Sequence, residues 1–244
     1  MLLLLLNLAE ASESHQILIY DLLLSGEPVG HRTVDITYQY PVEGELTGSR
    51  KIDSMTVINF EKMGQSISYQ QNVTGRFSSN GTQFVSIVQL NDERFELQGK
   101  QRSNRTWVIN EILPSGVLKH VFSPADIQDI SLALFDPKQS DLWRSGPQSI
   151  YEVEMGTIWS GDWTELGEQS IQNNDKSVYG RTLRYHSDQG EMTGTWSNEG
   201  LLIDWELSIM GITLDAKLRN IPDNPNFGEI QVDNSFSGVE EEEL

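Results

Sequence analysis

The sequence of 244 residues predicts a mainly β protein built on one large antiparallel sheet, curled or closed, with a single helix packed on it. Two observations lead to this prediction. Apolar and polar residues alternate along most of the chain, which is the pattern of strands that bury one face. Turn residues separate these short runs, and only one segment has the periodicity of a helix. A chain of this length can bury a sizeable core.

The first half of the chain consists of strand-like segments. Val34, Ile36 and Tyr38 alternate with polar residues, so we expect them on one buried face. Ser79-Asn80-Gly81 indicates a hairpin, because Asn-Gly supplies the positive φ angles of a type I′ turn. The predicted strands here are residues 16–24, 29–40, 51–60, 66–77, 82–90, 94–100 and 105–109.

Residues 123–135 are the predicted helix. Ser123 suits the N-cap, Pro124 suits the first helical position, and Asp126 favours the positive end of the helix dipole. Asp136-Pro137 ends the segment. One face of this helix is expected to pack on the sheet, and it consists of Ile127, Ile130, Ser131 and Leu134.

The second half returns to strands, and residues 193–218 alternate almost without error. Ile203, Trp205, Leu207 and Ile209 point to one side, and the question is whether that side touches only its own core or a bound guest. A loop is expected at 136–148. The predicted strands are residues 149–159, 163–172, 177–186, 190–197, 201–209 and 212–219, with a further short strand at 230–232.

Composition excludes several classes of function. The net charge is −19, from 36 Asp plus Glu against 17 Lys plus Arg. A nucleic-acid-binding protein needs basic residues to displace counterions from phosphates, so we expect no nucleic-acid partner. The sequence has no cysteine, which excludes disulfides, thiolate zinc sites and cysteine nucleophiles.

The N-terminal residues 1–11 predict a truncated signal peptide. Leu2 to Leu6 and Leu8 form a short apolar run, and Ala9-Glu10-Ala11 fits a signal-peptidase site. The run lacks a positively charged start, so a plain N-terminal extension also fits. We therefore expect a periplasmic or secreted bacterial protein that does not span the membrane. Residues 16–232 are predicted to form a single β domain, and residues 233–244 an acidic flexible tail.

Three stretches resemble uncharacterised bacterial periplasmic families. YDLLLSGEPVGHRTVDI (20–36) is similar to their opening, FSPADIQDISLALF (122–135) to their central helix, and TGTWSNEGLLIDWELSIMGITLDAKL (193–218) to their closing hairpins. These families share the fold of the lipoprotein carriers LolA and LolB. The resemblance implies a strongly curved antiparallel sheet of about a dozen strands, an unclosed barrel wrapped over one central helix. In the carriers the concave apolar face holds acyl chains, but none of their lipid-gating residues has a matching motif here.

No catalytic, cofactor-binding or metal-binding residue is predicted. The histidines His15, His31, His120 and His186 show no metal-binding spacing. Asp204 and Glu206 share one face of a strand, as a glycosidase pair would, but their polar neighbours favour a solvated face.

The aromatic residues leave alternatives open. Trp159 and Trp163 bracket Ser160-Gly161-Asp162, which fits either a sugar platform or, more simply, a hairpin with two core aromatics. Trp143 lies in the loop after the predicted helix, where it either covers a cavity mouth or anchors the loop. The ligand-binding residues themselves are not identifiable from the sequence.

Three functions are then open. The first is a periplasmic binding protein, expected to be a monomer, that holds an apolar, lipid-like ligand or a lipidated partner in its curved sheet. The second is a cell-envelope structural or protein-interaction module with a fully packed core and no ligand. The third is a hydrolase, which the missing nucleophile and metal patterns place last. The first is our prediction, with no enzymatic activity and no cofactor.

Overall fold

The computed structural model describes residues 13–39, 49–62, 65–78, 81–131, 135–173, 176–187, 190–209 and 212–219. These residues form one sheet of 15 strands. The strands are β1 Glu13–Leu24, β2 Glu27–Gln39, β3 Ser49–Lys62, β4 Gln65–Ser78, β5 Gln83–Leu90, β6 Glu93–Gln101, β7 Trp107–Leu113, β8 Gly116–Phe122, β9 Asp129–Ser131, β10 Gly146–Glu152, β11 Thr157–Asn173, β12 Lys176–Ser187, β13 Gly190–Ser197, β14 Leu202–Ile209 and β15 Ile212–Leu218.

The chain starts in the middle of the sheet and visits both edges. It moves strand by strand from β1 to the edge strand β8, and then crosses to the opposite edge at β9. From β9 it returns strand by strand until β15 pairs with β1. All neighbours are antiparallel except β9 and β10, which are parallel. The last strand therefore closes the sheet against the first at its centre.

The sheet curls until its two edges approach each other without joining. The ring of Phe122, at the end of β8, lies 5.7 Å from the ring of Tyr151 on β10, centroid to centroid. Within the described ranges β8 and β9 each have a neighbour on one side only. The predicted strongly curved, unclosed antiparallel sheet is confirmed, with more strands than the dozen expected.

One continuous core lies inside the curl. The predicted faces are confirmed at Val34, Ile36 and Tyr38, which are buried, and at Ile203 and Trp205, which are buried as well. Register brings the inner positions of both halves together, because strand partners lie side by side on one face. One such row runs from β1 to β12 through Leu22, Ala216, Trp205, Gly194 and Leu183.

The predicted central helix at 123–135 is wrong. Its first residues form a single turn, in which the Ile127 N–H donates to the Ser123 carbonyl at 3.2 Å. The next N–H, that of Gln128, donates instead to the Ser149 carbonyl of β10 at 2.8 Å, and the chain continues as β9. Residues 132–134 lie outside the described residues, and a 3₁₀ turn follows at Pro137–Leu142.

The residues that predicted a helix N-cap do cap a helical turn, but only one turn forms. The Asp126 carboxylate accepts from the backbone N–H and the hydroxyl of Ser123, both at 2.7 Å, as in a capping box. Ile127 and Ile130 are buried as predicted. Both are β-branched, and the backbone from Gln128 to Ser131 pairs with β10, whereas an isolated helix of this length is only marginally stable. Tertiary pairing thus outweighs the local preference.

The hairpin expected at Ser160-Gly161-Asp162 is also wrong, because β11 runs through this stretch unbroken. A Cβ on Gly161 would lie 2.6 Å from the ring of Tyr185. The glycine therefore marks close packing of a ring against the strand rather than a turn. The actual turn lies earlier, at 153–156. In the first half of the chain, the edge strand β8 was not predicted.

Several predictions fall outside the described residues. They are the signal peptide at 1–11, the short strand at 230–232 and the acidic tail at 233–244. In the part of the chain that is described, no helix has the length and apolar character needed to cross a membrane.

The tight curl at β2 gives a testable consequence. A Cβ on Gly30 would overlap the backbone carbonyl oxygen of Val57 on β3, whereas a Cβ on Gly26 would meet open space and only the strain of its φ of +87°. We expect Gly30→Ala to lower the free energy of unfolding by about 2–4 kcal/mol, and Gly26→Ala by about 1 kcal/mol. Urea unfolding measures both, and a reversed order would show that β2 and β3 do not approach as described.

Candidate functional site

The candidate site forms where the turn between β10 and β11, residues 153–156, folds into the curl of the sheet. The Gln71 side-chain amide of β4 donates to the Glu154 carbonyl at 2.8 Å. The Ser54 hydroxyl of β3 donates to the Glu154 carboxylate at 2.7 Å. The turn is therefore held from the opposite half of the sheet, by strands β3 and β4.

Arg32 completes this attachment from β2. Its guanidinium forms a buried ion pair with the Glu154 carboxylate and also donates to the Thr56 hydroxyl at 3.1 Å. The same guanidinium lies 4.4 Å from the centre of the Phe135 ring, a cation–π distance. Arg32 occupies the inner face of β2, two residues before buried Val34, so the strand carries a charge where the alternation calls for an apolar residue.

Glu152 is the second buried carboxyl group of the site. Its oxygens accept from the backbone N–H groups of Glu154 and Met155, at 3.1 and 2.8 Å. Burial, together with the neighbouring Glu154 carboxylate, raises the pKa of Glu152 to about 8, against the opposing effects of those N–H groups and of Arg32. The neutral form of Glu152 is therefore favoured at neutral pH.

A cavity of about 90 Å³ lies beside these charged groups. Arg32, Gln71, Glu152 and Glu154 line one part of it. The rest of its wall is apolar and is formed by Phe135, Trp143, Trp159, Met192, Trp205 and Leu207, together with Met155.

Unpartnered hydrogen-bond donors concentrate around this cavity. The indole N–H groups of Trp143, Trp159 and Trp205 are buried without a hydrogen-bond partner among the described residues, and so is Nε of Arg32. Four of the nine such atoms in the described ranges thus belong to side chains that line this one space. A buried donor without a partner costs free energy unless water or a ligand accepts from it.

Other aromatic rings hold the tryptophan walls in place. Trp143 stacks on Trp196 with ring centroids 6.2 Å apart, and it packs at an angle against Trp163 at 5.1 Å. Trp159 packs against Tyr185 at 5.5 Å. Gly194 makes room for the Trp196 ring, because a Cβ there would overlap with it. The walls are therefore set by packing rather than by loops.

A second ion pair fixes the segment before the 3₁₀ turn. The Arg50 guanidinium donates to the buried Asp136 carboxylate at 2.6 Å, and the Tyr38 hydroxyl donates to the same carboxylate at 3.4 Å. This places Phe135 against β1 and β14, where its ring meets Tyr20 at 4.5 Å and Trp205 at 6.2 Å.

The outer face of β4 to β7 carries a larger groove of about 730 Å³. Arg76, Lys100 and Arg102 line it and are exposed. None of the buried, unpartnered side-chain atoms of the described residues belongs to its lining. The groove is thus a solvated surface, whereas the small inner cavity is lined by residues whose buried hydrogen-bond donors have no partner among the described residues.

The sequence identified part of this site. Trp205 and Leu207, predicted on the buried side of β14, line the cavity, whereas no side-chain position is described for Ile209. Trp143 is buried at the cavity wall. Trp159 and Trp163 lie on one strand, and only Trp159 reaches the cavity.

The charged residues of the site were missed. Arg32 lies at an inward-facing position of the strand alternation, as Val34 and Ile36 do. Glu152 and Glu154 alternate with Tyr151 and Val153. Those two patterns were the available signals. Asp204 and Glu206 lie away from the cavity, with Glu206 exposed. Among the residues that the structure describes, no group of three or more His, Asp or Glu could hold a metal ion.

No protein-family model matches the chain, and no curated protein matches it in sequence. Its fold is similar to the crystal structure of a β-barrel-like protein of a domain of unknown function, DUF1849, from Brucella abortus. The TM-score is 0.56 at 12% identity, over 84% of this chain and 94% of that chain. A likeness at this identity shows a β-barrel-like fold alone. It does not extend to the LolA and LolB carriers, so that relationship stays a prediction.

The buried ion pair should be strongly coupled. Arg32→Met or Glu154→Met alone leaves a buried charge without its partner, so each should lower the free energy of unfolding by about 3–5 kcal/mol. The double variant should lose much less free energy of unfolding than the two single variants together, because neither charge remains. Urea unfolding of all four proteins measures this. Arg219→Met, which breaks the half-exposed pair with Asp21, is the matched control and should cost less than about 1 kcal/mol. Additive losses would contradict the pairing.

Glu152 should make stability depend on pH. Its folded pKa is raised above the unfolded value of about 4.5, so its stabilising effect is complete below that value and is lost as the pH rises towards the folded pKa of about 8. Glu152→Gln cannot ionise. Its stability relative to the native chain should therefore rise by on the order of 2 kcal/mol between about pH 5 and 8. Urea unfolding at both pH values tests this, and a difference that does not change with pH would contradict it.

Proposed function

We propose that this chain is a non-enzymatic binding protein of the bacterial cell envelope, and that its inner cavity takes one end of a lipid-like ligand. The observation that supports this proposal is the set of buried, unpartnered indole N–H groups around the cavity. Such donors are satisfied when a bound molecule accepts from them. Export rests on the apolar run and the Ala9-Glu10-Ala11 pattern of the sequence.

The size of the cavity limits what enters it. Pockets that enclose a drug-sized ligand measure roughly 300–1,000 Å³, whereas this one measures about 90 Å³. A whole acyl chain therefore does not fit inside, and we propose that only a small terminal group of the ligand does. The rest of the ligand would extend beyond the wall formed by Met155, which is more than half exposed.

Binding is proposed rather than catalysis because protein groups already hold both carboxyl groups. Glu154 accepts from Arg32 and Ser54, and Glu152 accepts from two backbone N–H groups. A general acid or base must reach a reacting atom of the substrate, and carboxyl groups held in this way are poorly placed to do so.

A protein-interaction module is the second candidate, because the edge strand β8 is apolar and, within the described ranges, pairs on one side only. Val117, Leu118 and Val121 of β8 are 61%, 52% and 54% exposed. An extended segment of another envelope protein could add to such an edge by strand pairing. This function needs no ligand in the cavity.

Native mass spectrometry separates the two functions. We expect the full chain, purified without detergent, to form a one-to-one complex with dihexanoyl phosphatidylethanolamine or dihexanoyl phosphatidylglycerol. Leu207→Phe should abolish it, because the larger side chain fills the cavity that Leu207 lines.

Leu24→Phe is the matched control, since Leu24 lies in the same row of β-sheet positions but outside the cavity lining. It should leave the complex intact. Absence of any complex with either lipid, at concentrations where the protein remains folded, would reject the ligand-binding function and favour the interaction module.

A further inference from the structure

The cavity holds one more carboxyl group than it holds cations. Arg32 forms an ion pair with Glu154. Glu152, with 4% of its surface exposed, has no ion-pair partner among the described residues, and only backbone N–H groups donate to it. Two carboxyl groups therefore share a single guanidinium.

Among the residues that the structure describes, no other titratable group around Glu152 supplies a positive charge for its ionised form. Tyr69 on β4 and Tyr151 on β10 face the site, and burial, together with nearby carboxylates, raises the pKa of each phenol, so both are neutral. Arg50 is engaged with Asp136 at the neighbouring segment. Glu152 is therefore neutral in the unliganded protein, and the cation that its ionised form needs must come from a ligand.

The walls add two further requirements. The faces of Trp143, Trp159 and Trp205 offer the electron-rich surface that attracts organic cations. Their N–H groups and Nε of Arg32 are unpartnered donors, so they need an acceptor oxygen. Trp143 and Trp205 are only 2% and 8% exposed, so bulk water does not accept hydrogen bonds from their N–H groups. A complementary ligand carries a positive charge and an oxygen close together.

We propose that the cavity binds an amino-alcohol group, in which a protonated amine lies two carbons from an oxygen, as in ethanolamine. The inference rests on the proposed function, because it takes the cavity to be the binding site. The volume of about 90 Å³ corresponds to roughly three liquid water molecules, close to the size of this group.

Each part of the ligand has a defined role. The ammonium donates to the Glu152 carboxylate and supplies the missing cation. The ligand oxygen accepts from an indole N–H group or from Nε of Arg32. Because the ammonium favours the ionised carboxylate, Glu152 loses its proton to solvent as the ligand binds. Free amines and lipid head groups share this chemistry, and the experiment distinguishes them.

Isothermal titration calorimetry of the full chain with ethanolamine and with propan-1-ol tests the proposal. Propan-1-ol has the same shape but carries a methyl group instead of the ammonium. We expect ethanolamine to bind about 30-fold more tightly than propan-1-ol. Its affinity should rise by about tenfold per pH unit between about pH 5.5 and 7.5, with release of close to one proton.

Glu152→Gln should remove both the preference for ethanolamine and the proton release, because the amide cannot ionise. Its circular dichroism and melting temperature show whether it remains folded. Glu206→Gln, on the exposed outer face of β14, is the matched control and should bind as the native chain does.

The other outcomes are distinct. Equal binding of ethanolamine and propan-1-ol would overturn the inference and leave the proposed function standing, since the cavity would then be a neutral site. If ethanolamine, propan-1-ol and the two dihexanoyl lipids all fail to bind, the inference and the proposed function are both overturned. If the phosphatidylethanolamine binds more tightly than ethanolamine, the ligand is a lipid head group. If ethanolamine binds more tightly, the ligand is a free amine. Equal binding of the two lipids would overturn the ammonium preference.

Discussion

The buried ion pair between Arg32 and Glu154 links the two halves of the sheet across its interior, in addition to the backbone pairing of β1 with β15. These residues are 122 positions apart in the chain, and their pairing fixes the turn after β10 against β2, β3 and β4. A buried charge without its partner costs several kcal/mol, so the turn cannot leave the interior without exposing or stranding both groups. The cavity exists because this turn is held inside the curl.

The interior is filled by irregular backbone where a helix would have been simpler. Phe135 and Trp143, which flank the 3₁₀ turn, supply part of the aromatic wall, and specific contacts hold the segments around them. Gln128 pairs with the backbone of β10, Asp136 with Arg50, and Trp143 with Trp196. A small void of about 90 Å³ remains beside the charged groups. That void is the cavity of the candidate site.

Fold and function are separate conclusions for this protein. The likeness to the DUF1849 protein from Brucella abortus concerns the β-barrel-like fold. The proposed function depends instead on the side chains inside the curl, namely two carboxyl groups, one guanidinium and three unpartnered indoles. Burial and the neighbouring Glu154 carboxylate raise the pKa of Glu152, and the indole donors have no hydrogen-bond partner among the described residues. The proposed ligand would supply a charge to the first and an acceptor to the second.

The strong curvature of the sheet was implied by the family resemblance. The sequence pattern itself determined most of the strands and their buried faces, because alternation with a period of two is a local property of the chain. It therefore placed Val34, Ile36, Trp205 and the other inner residues correctly. It could not determine the site. Whether residues 123–131 form a helix or pair with β10, and whether Arg32 meets Glu154, depends on contacts between distant segments. The signals for a helical turn were satisfied by one turn only, and Gly161 fitted ring packing as well as a turn. Only the tertiary structure decided these points, because long-range pairing can outweigh local preferences of about one kcal/mol per residue.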